Sequence, residues 1–460
     1  MKNDNQYKSV LMLLASALIL AMLTAVFAYV WYTHYAYSEA SAEPFFLRGN
    51  YVMIGLYALM MFLFYKLYGG FRIDQQRVSE ILYSQILAVI CVNLVTYLQL
   101  CLIGKWRFLA NVKPVIHMTF ADIALITVWA LVARFAYVKL FPPRKTILIY
   151  GRQSPDDLLR KIKTRADKYS VEEMISIEEN LDSIKMRIRA YSSAIFTDIP
   201  SEIRNELLKY CFSENIRCYC VPKISDIMIQ SAKPIHMFDT SLLVFRNMGL
   251  KPESRFAKRV FDITLSLLLM VLMVPVLALI AIAVKSYDGG PVFFRQERLT
   301  VDGKIFRILK FRSMYHEPQE TQYCMTRKND TRITPVGKIL RNSHLDELPQ
   351  LYNIFKGDMS FVGPRPECPE LAAQYEKKLP EFSFRLKVKA GLTGYAQVYG
   401  QYNTTPYDKL KLDLTYIENY SFLLDLKLIL LTVKFLFQDE SSEGIEPWQN
   451  SAETDGEDKV

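Results

Sequence analysis

The sequence predicts a membrane protein of mixed class, membrane α plus α/β, and three observations predict it. Long apolar runs fill the first 140 residues, short β-type runs alternate with helical ones after Pro143, and a further apolar run with a proline at its centre opens a basic carboxyl-terminal part. At 460 residues the chain is too long for one compact core, so two or three folded units are expected.

The first run, residues 9 to 32, begins after Lys8 and ends in Trp31 and Tyr32, aromatic residues suited to a membrane interface. It is too long for a signal-peptide core, and more spans follow, near 50–68, 81–103 and 116–138. Gln85, Asn93, Gln99, Asp122 and Arg134 lie in or beside the later spans; polar groups this sparse suit helix packing and snorkelling better than a transport path. Basic residues fix the orientation. Lys2, Lys8, Lys66, Arg72, Arg77, Arg134, Lys139, Arg144 and Lys145 flank one side, against Arg48, Lys105, Arg107 and Lys113 on the other. Nine against four puts both ends of a multi-pass region, 1–145, in the cytoplasm.

The net charge of +9 hides an uneven distribution. Residues 438–460 hold eight acids and one lysine, an acidic disordered tail by composition, which leaves 55 bases against 39 acids, or +16, on the rest. A body this basic suits an anionic membrane or a phosphate substrate, and the spans argue against nucleic acid as partner. Seven scattered cysteines without a C-x-x-C pair, and five isolated histidines, give neither zinc spacing nor a disulfide framework; reduced thiols are expected.

TILIYG (146–151), VEEMISI (171–177), SAIFT (193–197) and IRCYCV (216–221), with amphipathic stretches between, predict a small Rossmann-like parallel α/β module over 146–250. A dinucleotide site would need a glycine-rich turn after the first strand, and only Gly151 is present. The module therefore reads as a scaffold or homodimer contact without a nucleotide motif.

The next apolar run, Ile263 to Val284, has Pro275 at its midpoint and bases on both flanks: Lys258 and Arg259 before, Lys285, Arg295 and Arg298 after. Proline removes an amide and bends a helix, so the run either enters and returns or crosses with a kink. PVFFRQERL and KIFRILKFRSM follow as a β-hairpin studded with bases, among them Lys310 and Arg312, which suits contact with lipid phosphate.

In LDELPQLYNIFKGDMSFVGPRP, residues 345–366, Pro349 predicts a helix start near Asp346, because proline is tolerated in the first helical turn. Asp346 and Glu347 would then sit at free amides and the positive dipole end, and Gly357 would end the helix. An isolated D-E pair is usually a cap. Here Arg341 precedes it by five residues and Arg365 follows in a rigid P-R-P turn, which favours a site for a metal-bound diphosphate. No D-x-D pair occurs, which weakens a metal-holding nucleotide-sugar transferase of that type.

Residues 255–437 resemble the bacterial sugar transferase family, the monotopic phosphoglycosyl transferases, in KRVFDI, FRQERL, FRILKFRSM, LDELPQLYNIFKGDMSFVGPRP, KAGLTGYAQV and DLTYIENYSFLLDLKLIL. The preceding spans and module resemble the long members, undecaprenyl-phosphate galactose or glucose phosphotransferases. The resemblance implies a four-helix transmembrane bundle, the Rossmann-like module and an α+β catalytic domain, 251–437, with a re-entrant membrane helix over 258–285 broken at Pro275. It implies transfer of a sugar-1-phosphate from UDP-sugar to undecaprenyl phosphate with release of UMP, the first membrane step of exopolysaccharide, capsule or O-antigen assembly. The enzyme would be a multi-pass protein of the bacterial cytoplasmic membrane, its catalytic domain on the cytoplasmic face. Asp346 would be the nucleophile, Glu347 its partner, both near magnesium, with Arg341 and Arg365 as phosphate contacts and Lys310 and Arg312 as further substrate-binding residues. His344 stands where many members carry serine. The other reading is a non-catalytic membrane scaffold of polysaccharide assembly, against which the intact dyad and P-R-P argue.

Overall fold

The computed structural model describes residues 2–37, 47–74, 76–151, 154–245, 249–315, 332–400 and 404–435. The chain divides into two compact units, Met1–Val221 and Pro222–Val460; the expected acidic tail at 438–460 lies outside the described residues.

The first unit opens with four apolar helices, α1 (Lys2–Val30), α2 (Leu47–Tyr68), α3 (Val78–Ile103) and α4 (Lys113–Leu140). Each is long and apolar enough to cross a membrane. They pack α1 on α2, α2 on α3, α3 on α4, and α4 back on α1. Phe27 stacks on Tyr57 with ring centroids 4.1 Å apart. The polar residues noted in the spans join helices: Asn93 Oδ1 accepts from Tyr57 OH (2.9 Å), and its Nδ2 donates to Thr119 Oγ1 (2.9 Å) and Asp122 Oδ2 (3.1 Å). Asn93 and Asp122 thus join helices by hydrogen bonding. Arg134, at the far end of α4, pairs with Asp167 of the following module.

That module is a four-stranded parallel sheet, β1 (Arg144–Tyr150), β2 (Tyr169–Ser176), β3 (Ser193–Thr197) and β4 (Arg217–Cys220), in the order β2-β1-β3-β4. Helices α5 (Asp156–Lys163), α6 (Leu181–Ile188) and α7 (Ser201–Ser213) connect the strands. Ile147, Ile149, Ala194 and Phe196 of the central strands pack with Ile184, Ile188, Leu207 and Cys211 of the helices, the near-continuous apolar strand pattern of a sheet covered by helices. Gly151 is needed for close packing: a Cβ there would lie 1.9 Å from the Asp198 carbonyl oxygen.

The second unit begins earlier than the sequence suggested. Helix α8 (Ile224–Ser231) packs on α14 (Pro406–Glu418), where Ser231 Oγ donates to Glu418 Oε2 (2.8 Å). The hairpin β5 (Lys233–Met237) and β6 (Thr240–Val244) follows. Helix α9 (Pro252–Asp288) then runs for 37 residues with Pro275 inside it and no interruption of helical structure there. β7 (Phe293–Leu299) and β8 (Ile305–Phe311) form the expected antiparallel hairpin, and α10 (Pro335–Asn342) and α11 (Gln350–Lys356) follow. β9 (Ser360–Val362) pairs in parallel with β10 (Gly391–Thr393); α12 (Pro369–Lys378), α13 (Tyr395–Tyr399), α14 and α15 (Phe422–Phe435) complete the unit.

Both ends of α9 are fastened to this one unit. Near its start, Lys258 pairs with Asp425 (2.5 Å), Arg259 donates to the carbonyls of Ile354 and Phe355 (2.7 Å each), and Asp262 accepts from Ser360 Oγ (3.0 Å) and Phe361 N (3.1 Å). Near its end, Ile280 and Val284 pack with Phe311 and Leu340. Between these anchors Leu267, Leu268, Val271, Leu272 and Val274 are exposed. One cysteine departs from expectation: Cys368 is disulfide-bonded.

Asn353 locks α11 to the free edge of β8. Its Oδ1 accepts from Leu309 N and its Nδ2 donates to Arg307 O, both at 2.9 Å, with only 3% of the residue exposed. Asn353→Ala leaves two strand groups unpaired and is expected to destabilise the second unit by about 1–3 kcal/mol. Tyr352→Ala, on the exposed side of the same helix, should change stability by less than about 0.5 kcal/mol; chemical denaturation of both variants checks the contrast.

Candidate active site

Three elements bring the predicted residues together. β8 presents Lys310, the last turn of α10 presents Arg341, and the turn joining α10 to α11 holds the two acids. Thr334 caps α10 by accepting from Gly337 N (2.9 Å), and Gly337 lets the helix approach Ser313, since a Cβ there would meet the Ser313 carbonyl at 2.0 Å. The chain then reverses at His344, whose φ of +54° is left-handed.

The helix does not start at Asp346 as Pro349 suggested. Leu345–Glu347 form a 3-10 turn, Pro349 is the N-cap, and α11 begins at Gln350. Glu347 N donates to His344 O (3.2 Å) and Leu348 N to Leu345 O (3.3 Å), so these amides are used inside the turn. Side-chain cations take over the role expected of the helix start. Gly357 ends α11 at φ +100°, as its sequence position indicated.

Glu347 is the shared partner of two bases. Its Oε1 accepts from Lys310 Nζ at 2.6 Å and from Arg365 Nη2 at 3.1 Å. Burial alone would push its carboxyl up, but Lys310 and Arg365 outweigh burial and hold it well below the usual range. Asp346, next to it and 7% exposed, goes the other way. Burial raises its carboxyl, the Glu347 charge adds to the rise, and Lys310 and Arg341 only partly oppose it. Two neighbouring carboxylates are thus driven apart, one fixed as an anion and one destabilised in its charged form.

Arg341 donates from Nε to Ser313 Oγ (2.8 Å), which fixes its plane beside the dyad. Arg312 is held elsewhere: its guanidinium pairs with Asp288 at the end of α9, against Gly290. It anchors the apolar helix and makes no contact with Asp346 or Glu347. Pro275 likewise stays within α9. Two adjacent carboxylates suit magnesium, which takes one or two carboxylates and leaves other positions to water and phosphate. Among the described residues no cluster of three His, Cys, Asp or Glu stands ready to cage an ion by itself.

Sequence reasoning missed Asn353, Glu367 and Arg385. Glu367 carried a signal, since it directly follows P-R-P; Arg385, 2% exposed, carried none, because its importance comes from long-range packing.

Residues 253–439 match the model of the bacterial sugar transferase family. Over 210 residues the chain is 38% identical to a UDP-glucose:undecaprenyl-phosphate glucose-1-phosphate transferase of Caulobacter vibrioides, covering 44% of this chain and 79% of that protein. The chain belongs to the bacterial sugar transferase family. A protein of Klebsiella pneumoniae with the same described activity is 44% identical over 181 residues, 38% of this chain and 39% of its own length. A UDP-N-acetylgalactosamine-undecaprenyl-phosphate N-acetylgalactosaminephosphotransferase of Aeromonas hydrophila is 33% identical over 230 residues, 49% of this chain and 54% of its own. The chain thus spans about two-fifths to half the length of these two longer relatives, and the family match falls on the unit that holds the dyad and P-R-P.

The opposed pKa shifts predict opposed mutant stabilities. Asp346, raised in the folded state, costs stability once pH exceeds the ordinary aspartate range. Glu347, depressed, contributes stability above the ordinary glutamate range that is lost as pH falls through its low folded value. At pH 7, Asp346→Asn should raise Tm by about 2–4 °C and Glu347→Gln should lower it by at least as much, since it strips Lys310 of its partner. Thermal scans of the two variants check the sign.

Proposed function

We propose that the protein transfers a hexose-1-phosphate from a UDP-sugar to undecaprenyl phosphate and releases UMP, opening the assembly of a surface polysaccharide. The observation that carries the reading is the split dyad: an Asp346 carboxylate destabilised by burial beside a Glu347 carboxylate fixed by Lys310 and Arg365. The family membership and the printed activities of the relatives point the same way.

In the first step an Asp346 carboxylate oxygen attacks the sugar-bearing phosphorus. The bond from that phosphorus to the oxygen bridging to UMP breaks, UMP leaves with the electron pair, and an acyl-phosphosugar remains on Asp346. A carboxylate whose charge is poorly solvated is the better nucleophile, and burial with the neighbouring Glu347 charge leaves Asp346 in that state. In the second step an undecaprenyl-phosphate oxygen attacks the same phosphorus, the acyl-phosphate bond breaks, and Asp346 is regenerated as the lipid diphosphosugar departs. Arg341 and Arg365 are the phosphate contacts, their planar donors suited to phosphate oxygens. Arg312, tied to Asp288, is left out of that set. Asp346 and Glu347 are also the residues that would hold magnesium, which when bound supplies charge neutralisation of the diphosphate.

The path of α9 bears on where this happens. The fastening of α9 to one and the same unit at Asp262 and again at Ile280 supports a path with both ends on one face of the bilayer. A re-entrant path, with the exposed leucines and valines of 267–274 in lipid and the dyad at headgroup level on the cytoplasmic face, satisfies both. The acceptor's phosphate would then meet Asp346 while its tail remains in the membrane.

The test is UMP release from UDP-glucose, UDP-galactose and N-acetylated UDP-sugars by the full chain in nanodiscs containing undecaprenyl phosphate. Turnover with at least one donor is expected. Intact-mass analysis with donor alone should reveal a phosphosugar adduct that disappears in Asp346→Asn. Normal turnover by Asp346→Asn contradicts the mechanism, and absence of UMP release from every donor favours a non-catalytic scaffold.

A further inference from the structure

The P-R-P turn is gripped along its backbone by a continuous row of donors. Pro364 O accepts from Gly391 N (2.9 Å), Arg365 O from Arg385 Nη2 (2.9 Å), Pro366 O from Arg298 Nη1 (3.2 Å) and Glu367 O from Leu299 N (3.0 Å). Four consecutive carbonyls are therefore engaged, each by a different residue, and the two prolines already fix φ on either side of Arg365. Only the Arg365 side chain, 46% exposed, is left to move.

Two of these four donors are guanidinium groups, and Arg385 is itself immobilised. Its Nη1 donates to Glu367 Oε1 (3.2 Å), and its Nε and Nη2 reach Asp413 Oδ2 (2.9 and 2.8 Å). Glu367 in turn pairs with Lys409. Arg385, Glu367 and Asp413 are all nine-tenths buried or more. Burial would push the Glu367 carboxyl up, but Lys409 and Arg385 outweigh it and lower it to about 2.

Burying such a cluster is costly, and apolar residues of similar volume often serve stability as well or better. Its placement on the carbonyl of the very residue that reaches the dyad is what an apolar core could not reproduce. We infer that Arg385, locked by Glu367 and Asp413, is a positioning residue that sets the direction in which Arg365 meets Glu347 and the donor's phosphates. The inference rests on the reading of Arg365 as a phosphate contact. Arg385 touches no substrate; it acts through the Arg365 carbonyl. A lysine in its place keeps the charge but has no planar fork to span Glu367, Asp413 and the carbonyl at once.

A double-mutant cycle in the full chain, in nanodiscs with undecaprenyl phosphate, tests this by UMP release from whichever of UDP-glucose, UDP-galactose or UDP-N-acetylgalactosamine is turned over. Arg365→Ala and Arg385→Lys should each lower kcat/KM by ~10–100-fold, the scale expected when a contact is misplaced by about an ångström. The double variant should fall no more than about 2-fold below Arg365→Ala, because the second change has nothing left to misdirect. Glu367→Gln should repeat that pattern, and serves if Arg385→Lys fails to fold. Losses that multiply in the double variants overturn the inference, since Arg385 would then act on the fold at large; so does normal turnover by the folded single variants. Impaired Arg365→Ala with multiplying losses leaves the reading of Arg365 standing. A wild type without UMP release from any donor overturns that reading and this inference with it.

Discussion

The carboxylate of Glu347, shared between Lys310 and Arg365, is the interaction on which the rest of the second unit depends. It joins three parts of the chain that are distant in sequence: the hairpin strand β8, the 3-10 turn with the dyad, and the P-R-P turn. Each part is separately braced. β8 is held by Asn353, the dyad turn follows a capped α10, and P-R-P is gripped through its carbonyls. Lys310 and Arg365 hold Glu347 as an anion, while Asp346 beside it feels burial as the dominant influence on its own charge, with the Glu347 charge acting in the same direction. The chemical difference between two adjacent acids thus comes from packing around them.

The same unit anchors both ends of a long apolar helix. α9 is apolar over its middle, yet Lys258 and Asp262 near one end and Ile280 and Val284 near the other belong to the structure around the dyad. Asp262 reaches Ser360 and Phe361, in the strand that leads straight into P-R-P. Arg312, next but one to Lys310, ties the end of α9 through Asp288. The anchors of the apolar helix and the geometry around the dyad are therefore built from neighbouring residues of the chain.

Much of this was legible in the sequence because it is written locally. Apolar runs gave four helices, alternating runs gave the strands of the parallel sheet, and Gly357 ended α11 where a glycine should. The lone Gly151 pointed away from a nucleotide cradle, and its close approach to Asp198 shows another use for it. What depended on long-range packing was not legible. Pro349 placed the helix start a turn too early, because a proline can also stand at an N-cap after a 3-10 turn. Lys310 and Arg312 looked equivalent as bases on one hairpin, but adjacent positions two apart met different acids, one Glu347 and the other Asp288. The α/β module drawn over 146–250 includes α8, whereas α8 packs on α14, with Ser231 and Glu418 187 residues apart. Arg385 had no local signature, and its partners are 18 and 28 residues away.

The central claim is that packing gives Asp346 and Glu347 opposite electrostatic characters and so assigns their roles. It is tested most directly by infrared titration of the carboxylate bands, taking differences between wild type and the Asp346→Asn and Glu347→Gln variants. Asp346 should take up its proton above the usual aspartate range and Glu347 below the usual glutamate range. Titration of both in their ordinary ranges, or in the reverse order, would contradict the account.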